Sequence, residues 1–196
     1  MICKTSTILL LAIRDPGNAA GWEQFDHRYR PVLVMTARRL GLSQEDAEDA
    51  AQETLAAFAA GHRAGRYDRA KGRLRNWLLG IARHKIQDVH RSRGKREMLE
   101  ADRRETSGFL DKISDEQVDT TYETEWRRAL LRECLNEVRH HVEHKTLEAF
   151  ELFGLKQWPV SAVAARLGMS EESVYQSKSR VLKHICRLRE ELEESW

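Results

Sequence analysis

Apolar residues recur at three- and four-residue steps in successive stretches of the chain, and turn residues or polar runs separate them. Residues 8–13 form a short apolar run, ended by the turn signal Asp15-Pro16-Gly17-Asn18. Trp22, Phe25, Tyr29, Val32, Leu33, Thr36 and Leu40 then share one helical face, which Gly41 is placed to stop. Pro31 predicts a kink or a helix start inside that pattern. Ser43 followed by Asp46 is a variant of the capping box, opening a helix that packs through Ala47, Ala50, Ala51, Leu55 and Phe58. Leu74, Trp77, Leu78, Ile81, Ala82, Ile86 and Val89 make the next stripe, which ends at Ser92-Arg93-Gly94. Order resumes with Trp126, Leu130, Cys134, Leu135, Val138 and Val142, continues through Leu147, Phe150 and Leu155, and closes with Val174, Val181, Ile185, Leu188 and Leu192. No long strand-period run interrupts the series, so the expected fold is all-α.

Residues 99–124 break the periodicity. They are acidic and polar, contain Gly108 and carry only scattered apolar side chains, with room for a short helical turn at 109–113. The chain therefore divides into a domain over 1–98, a linker over 99–124 and a second small helical domain over 125–196.

Charge adds a second asymmetry. The formal net charge is only +2, but residues 62–98 alone hold a balance of +9 and the remainder one of −7. Arg73, Asn76, Arg83, His84, Gln87 and Arg91 share a face of the fourth helix away from its apolar stripe. Such a face is either a solvated basic surface or a reader of nucleic acid. On the third helix Asp46, Glu48, Asp49, Gln52 and Glu53, with Glu45 beside them, form an acidic patch. It is a solvated face or a dock for a basic partner, and no histidine beside it suggests acid–base or metal chemistry.

Cys3, Cys134 and Cys186 are odd in number and widely spaced, which predicts neither a disulfide framework nor a zinc knuckle. The run over 8–13 is cut off by Arg14 and Asp15, too short to span a bilayer, and a cytoplasmic protein with no membrane insertion is expected. His140-His141-Val142-Glu143-His144 matches the inverted zinc-protease pattern, but a further ligand is lacking nearby, and a His cluster on a wet helix is the simpler account. No enzyme activity, cofactor or metal is expected.

The most informative local pattern runs from Pro159 to Arg180. Pro159 can open a short helix with Val163, Ala164 and Leu167 inward; Gly168 makes the turn, Met169 plugs the space, and Ser170 caps the helix that follows. These offsets are those of a helix-turn-helix. Ser173, Tyr175, Gln176, Lys178, Ser179 and Arg180 face away from its stripe, where a recognition helix meets base edges and phosphates.

Taken together these motifs resemble a bacterial extracytoplasmic-function sigma factor. Asp46-Ala47-Glu48-Asp49-Ala50-Ala51-Gln52-Glu53, then Gly72-Arg73-Leu74-Arg75-Asn76-Trp77-Leu78, then Asp88 and Arg91, are similar to region two of that family. Thr146 to Phe150, Val163-Ala164, Leu167 to Ser170 and Val174 to Leu182 are similar to region four. The resemblance implies that Asp46, Glu48, Asp49, Gln52 and Glu53 dock on core RNA polymerase. It implies that Arg66, Lys71, Arg73, Arg75, Asn76, Arg83, His84, Gln87, Arg91 and Arg93 meet the single-stranded −10 element. Ser170, Ser173, Tyr175, Gln176, Lys178, Ser179 and Arg180 would then read the duplex −35 element. His84 stands where the family often has Asn, and Tyr175-Gln176-Ser177 where many members have Lys-Ser-Arg, a pattern that looks closer to a planctomycete-like subgroup. An anti-sigma factor or a regulatory kinase would be open as partners. The alternative is a stand-alone helix-turn-helix regulator, which leaves the acidic patch and the basic helix without a role.

Overall fold

A computed structural model describes residues 5–15, 17–101 and 113–195, with the side chains of 5–8, 93–101 and 191–195 left aside. Among the described residues the regular structure is entirely helical. Two compact units divide at residues 127 and 128.

The first unit contains α1 (Thr5–Ala12), α2 (Ala19–Arg39), α3 (Gln44–Arg63), a 3₁₀ turn (Arg69–Lys71), α4 (Leu74–Ala101) and the first half of α5 (Asp115–Val138). Asn18 caps α2, its side chain accepting from the Gly21 N–H at 2.9 Å. Pro31 lies inside α2, exposed, and the helix runs on through it. At the C-terminus the Leu42 N–H reaches back to the Ala37 carbonyl and the Gly41 N–H to that of Arg38, a Schellman closure with Leu42 buried against Ala37. Ser43 caps α3, its hydroxyl accepting from the Asp46 N–H at 3.1 Å and donating to Asp46 Oδ2 at 2.7 Å.

Stacked rings hold this unit. Tyr67 lies on Trp77 (centroids 5.3 Å apart, planes 19° apart), Trp77 meets Phe58 at 5.0 Å, and Phe58 stacks on Phe25 at 4.6 Å and 15°. Phe25 continues to Tyr29 at 4.4 Å, Tyr29 to Trp126 at 5.9 Å, and Trp126 to Tyr122 at 5.9 Å. One connected series of aromatic contacts thus runs from the loop before α4, through α4, α3 and α2, to α5. Burial pushes the Tyr29 phenol up to about 12 and also raises that of Tyr122. A second cluster packs Ala37, Leu42, Ala47, Ala50, Ile86 and Val118 together beside it.

Residues 115–124, placed in the linker by their composition, are helical. Ser114 and Gln117 cap the start of α5 reciprocally, with Ser114 N–H donating to Gln117 Oε1 at 2.8 Å and Gln117 N–H to Ser114 Oγ at 3.2 Å. Val118, Tyr122 and Trp126 follow at four-residue steps and are all but fully buried. Polar residues at every other position of this stretch hide that sparse stripe from a composition argument. At the other end α4 does not stop at Ser92-Arg93-Gly94 but continues to Ala101, so residues 99–101 are helical too, while residues 102–112, with most of the expected turn at 109–113, lie outside the described residues.

The second unit comprises α5 from residue 128, α6 (His144–Phe150), a π turn that prolongs it (Glu151–Leu155), α7 (Val160–Leu167) and α8 (Glu171–Ser195). α8 packs against both α6 and α7. Its core joins Ala149, Leu152, Val163, Ala164 and Val174, with Phe153, Leu167 and Met169 against it.

Phe58 is fully buried between Phe25 and Trp77. Phe58→Ala is expected to lower the unfolding free energy of this unit by about 3–5 kcal/mol, measurable by urea denaturation, because it leaves a cavity at the middle of the aromatic series.

Candidate nucleic-acid and partner surfaces

The loop between α3 and α4 is built on the aromatic core. Gly65 turns the chain out of α3 with φ +70°, allowing the Arg66 N–H to reach the Gly61 carbonyl at 2.9 Å. Tyr67 then covers Trp77, and its hydroxyl donates to the Gly72 carbonyl at 3.4 Å, tying together the two ends of the 3₁₀ turn. Asp68 caps that turn at the Ala70 N–H. A base so fixed leaves Arg66, Arg69, Lys71 and Arg73 exposed around it. Tyr67 was not singled out by periodicity, since it belongs to no helix stripe; an aromatic inside a Gly- and Arg-rich loop is the signal that could have found it.

On α4 the expected reading residues fall into two groups. Arg73, Asn76 and His84 are exposed, and so is Arg91, which pairs with Asp88 at 3.3 Å on its own helix. Arg75, Arg83 and Gln87 are engaged by α5 instead. Arg75 pairs with Glu123 at 3.3 Å and lies 5.6 Å from the Trp126 ring centre. Arg83 makes two bonds to Asp119, one of 2.7 Å, and one to Asp115 at 3.2 Å, while Gln87 donates to Asp115 at 2.6 Å. The hydrogen bonds to Asp119 raise the Arg83 pKa further. Arg93 lies in α4, but its side chain is outside those described.

The acidic patch sits where the sequence placed it. Glu48, Asp49, Gln52 and Glu53 are exposed along α3, and Asp46 is half-buried at its cap. Gln44 donates to Glu48 at 2.6 Å, and Lys85 of α4 reaches Glu53 at 2.9 Å. Asp49 and Glu53 lie one helical turn apart, so a partner that meets the patch meets both.

In the second unit α7 and α8 form a helix-turn-helix. Gly168 is left-handed at φ +56°, which brings the Met169 N–H to the Ala164 carbonyl at 3.0 Å, and Lys145 of α6 donates to the Gly168 carbonyl at 3.2 Å. Ser170 caps α8 through the Ser173 N–H. Tyr175, Gln176, Ser179 and Arg180 are exposed, and Ser173 and Lys178 are half-buried. Ser177 completes the inner face between Val174 and Val181, its hydroxyl satisfied by the Ser173 carbonyl at 2.8 Å. Phe153 is the residue that periodicity missed here. Projecting from the π turn, its ring meets Tyr175 edge-on at 5.2 Å and lies 4.9 Å from the Lys178 ammonium.

The His-x-x-Glu-His pattern does not form a helical metal face. α5 ends at Val138, a turn carries His140 and His141, and α6 starts at His144, so His140 and His144 are not one turn apart on one helix. His141 stacks on His184 of α8 at 6.2 Å instead. Among the described residues no three His, Cys, Asp or Glu side chains converge as a metal site, and no helix is long and apolar enough to cross a membrane.

Comparison with known proteins bears on the first unit. Residues 25–96 match the family model of Sigma-70 region 2. That span begins within α2, takes in the acidic face of α3 and the basic loop, and ends within α4. A solved structure, CnrH in complex with the cytosolic domain of CnrY, is 19% identical over 93% of this chain and 96% of that one, with a TM-score of 0.38. No curated protein matches the chain.

His62 sits beneath the loop, 6% exposed, between the Phe58 and Tyr67 rings, with Nδ1 unpartnered. Burial, then the Arg14 charge, pushes its pKa below 6.5. Between the lowered folded pKa and the ordinary unfolded one, the unfolded chain binds a proton that the folded chain excludes. Stability therefore falls as pH drops through that window and is level above it. His62→Phe should remove this part of the slope, read from urea midpoints between about pH 7.5 and pH 5.

Proposed function

We propose that this chain is a sigma factor of the extracytoplasmic-function type, which binds core RNA polymerase and directs initiation at promoters. The observation that carries the proposal is the match of residues 25–96 to Sigma-70 region 2, because that span holds both charged surfaces of the first unit. In this reading the exposed carboxylates of α3, Glu48, Asp49 and Glu53 with Gln52 and Asp46 beside them, dock on polymerase. Arg66, Lys71, Arg73, Asn76, His84 and Arg91 receive the unpaired −10 strand, phosphates along the guanidinium groups and a base against the Tyr67–Trp77 loop. Lys71 and the arginines supply charge that every sequence feels, while Asn76 and His84 can address base edges.

The helix-turn-helix supports a duplex-reading role for the second unit, in which Ser170 and Ser173 hold the start of α8. Tyr175, Gln176 and Ser179 meet base edges, and Lys178 and Arg180 meet phosphates. Polymerase carries the chemistry, so the chain itself acts by binding and works in the cytoplasm with the enzyme.

Reconstituted transcription tests the proposal: the chain should join core polymerase and support initiation on promoters from its own genome. Failure on both counts sinks it, and tight promoter binding by the free chain without polymerase would point to a stand-alone regulator. Asp49→Lys with Glu53→Lys should weaken polymerase binding about tenfold or more while leaving the fold intact. Lys178→Ala and Arg180→Ala should weaken −35 duplex binding, each lowering the salt slope by about one.

A further inference from the structure

The ion pairs between α4 and α5 have a geometry that the proposed function does not use. Arg83 and Gln87 lie one turn apart on α4, and Asp115 and Asp119 lie one turn apart on α5, so the two pairs meet as matched rows. Asp119 holds the Nη2 of Arg83 with both carboxylate oxygens and Asp115 holds its Nη1, charge-assisted bonds of the kind a phosphate oxygen also accepts.

Burial separates what is fixed here from what can move. Val118, Tyr122 and Trp126 are 0–2% exposed and seat α5 in the core. The carboxylates are not buried: Asp115 is 62% and Asp119 44% exposed, and Arg83 itself is 27% exposed. Ion pairs at that depth are screened by salt and worth little individually. They can therefore open by side-chain rotation while the helix stays seated.

We propose that Asp115 and Asp119 are an internal phosphate mimic that occupies Arg83 and Gln87 until a nucleic-acid strand displaces them. The proposal rests on the reading of α4 as a surface for single-stranded DNA. Its consequence is a threshold. Strands that reach only the loop and Arg73 find Arg83 and Gln87 taken, whereas a strand held in register along α4 can exchange the carboxylates for its own phosphates. The chain would bind unpaired DNA more weakly, and with a shallower salt dependence, than its basic count implies.

The test uses the full chain and a fluorescent single-stranded oligo(dT) probe over a salt series. Asp115→Asn with Asp119→Asn should bind about threefold more tightly at low salt. Its plot of log affinity against log salt should steepen by about 0.7, one added phosphate contact on a single strand. In an Arg83→Ala background the same two substitutions should change neither quantity. Equal affinity and slope in the wild type and the double variant would overturn the mimic. So would a tightening that persists in full without Arg83, since that would be a mere change of net charge. Initiation with core polymerase is a separate readout. Activity there without the oligo(dT) effect removes the mimic and leaves the sigma-factor reading, and the oligo(dT) effect without initiation does the reverse.

Discussion

The first unit depends on one connected series of ring contacts, from Tyr67 through Trp77, Phe58, Phe25, Tyr29 and Trp126 to Tyr122. Each ring comes from an element whose own stripe would only say that it is buried somewhere. Joined, they fix where the loop before α4 stands relative to α3, and they seat α5 beside α4. The close approach at Gly61 belongs to the same constraint: a Cβ there would lie 2.9 Å from the Trp77 ring, so α3 carries glycine where the tryptophan crosses it. Large flat side chains supply most of the apolar area in such a core and tolerate few rearrangements, which suits a unit that must present charged groups in fixed register.

The charged groups follow the opposite rule. The strong basic excess of residues 62–98 is a property of the chain, but the surface left for a partner is decided by local pairing. Lys85 is spent on Glu53, Arg75 on Glu123, and Arg83 on Asp119 and Asp115. Exposed cations are concentrated at the loop and the first turn of α4, in Arg66, Lys71 and Arg73, with Asn76 beside them.

Much of this was legible in the sequence. The stripes of α2, α3 and α4, and that of α8 as far as Leu188, turn inward as their periodicity requires, and Gly41 and Gly168 stop helices where the apolar pattern ends. Glu48, Asp49, Gln52 and Glu53 on α3 and Tyr175, Gln176, Ser179 and Arg180 on α8 are exposed as their spacing suggests, whereas Asp46, Ser173 and Lys178 are half-buried. The start of α5 was not legible: Val118, Tyr122 and Trp126 are three apolar residues in a polar stretch, and only their partners in the core show that they suffice. The pairing of Arg75, Arg83 and Gln87 was hidden for the same reason, since a basic face looks free until the helix beside it is known. Ser177 buries by closing on its own helix, which no hydropathy pattern marks. The histidine run, read as a cluster on a wet helix, instead spans the turn between α5 and α6, which no spacing rule marks.

The helix-turn-helix shows how a local irregularity can set a surface. A regular continuation of α6 would rotate Phe153 by the usual helical step, but the π turn widens the coil and sends it toward α8. There it holds the edge of Tyr175 on one side and the ammonium of Lys178 on the other. Contact with a rigid ring limits the rotamers of Lys178, whose flexible stem would otherwise sample many. Gly154 beside it carries no Cβ, which would stand 2.9 Å from the Phe150 ring, so the same turn keeps Phe150 in the core while Phe153, half-buried at its edge, reaches α8. One added residue in a helical turn thereby serves the interior and the outer side of α8 together.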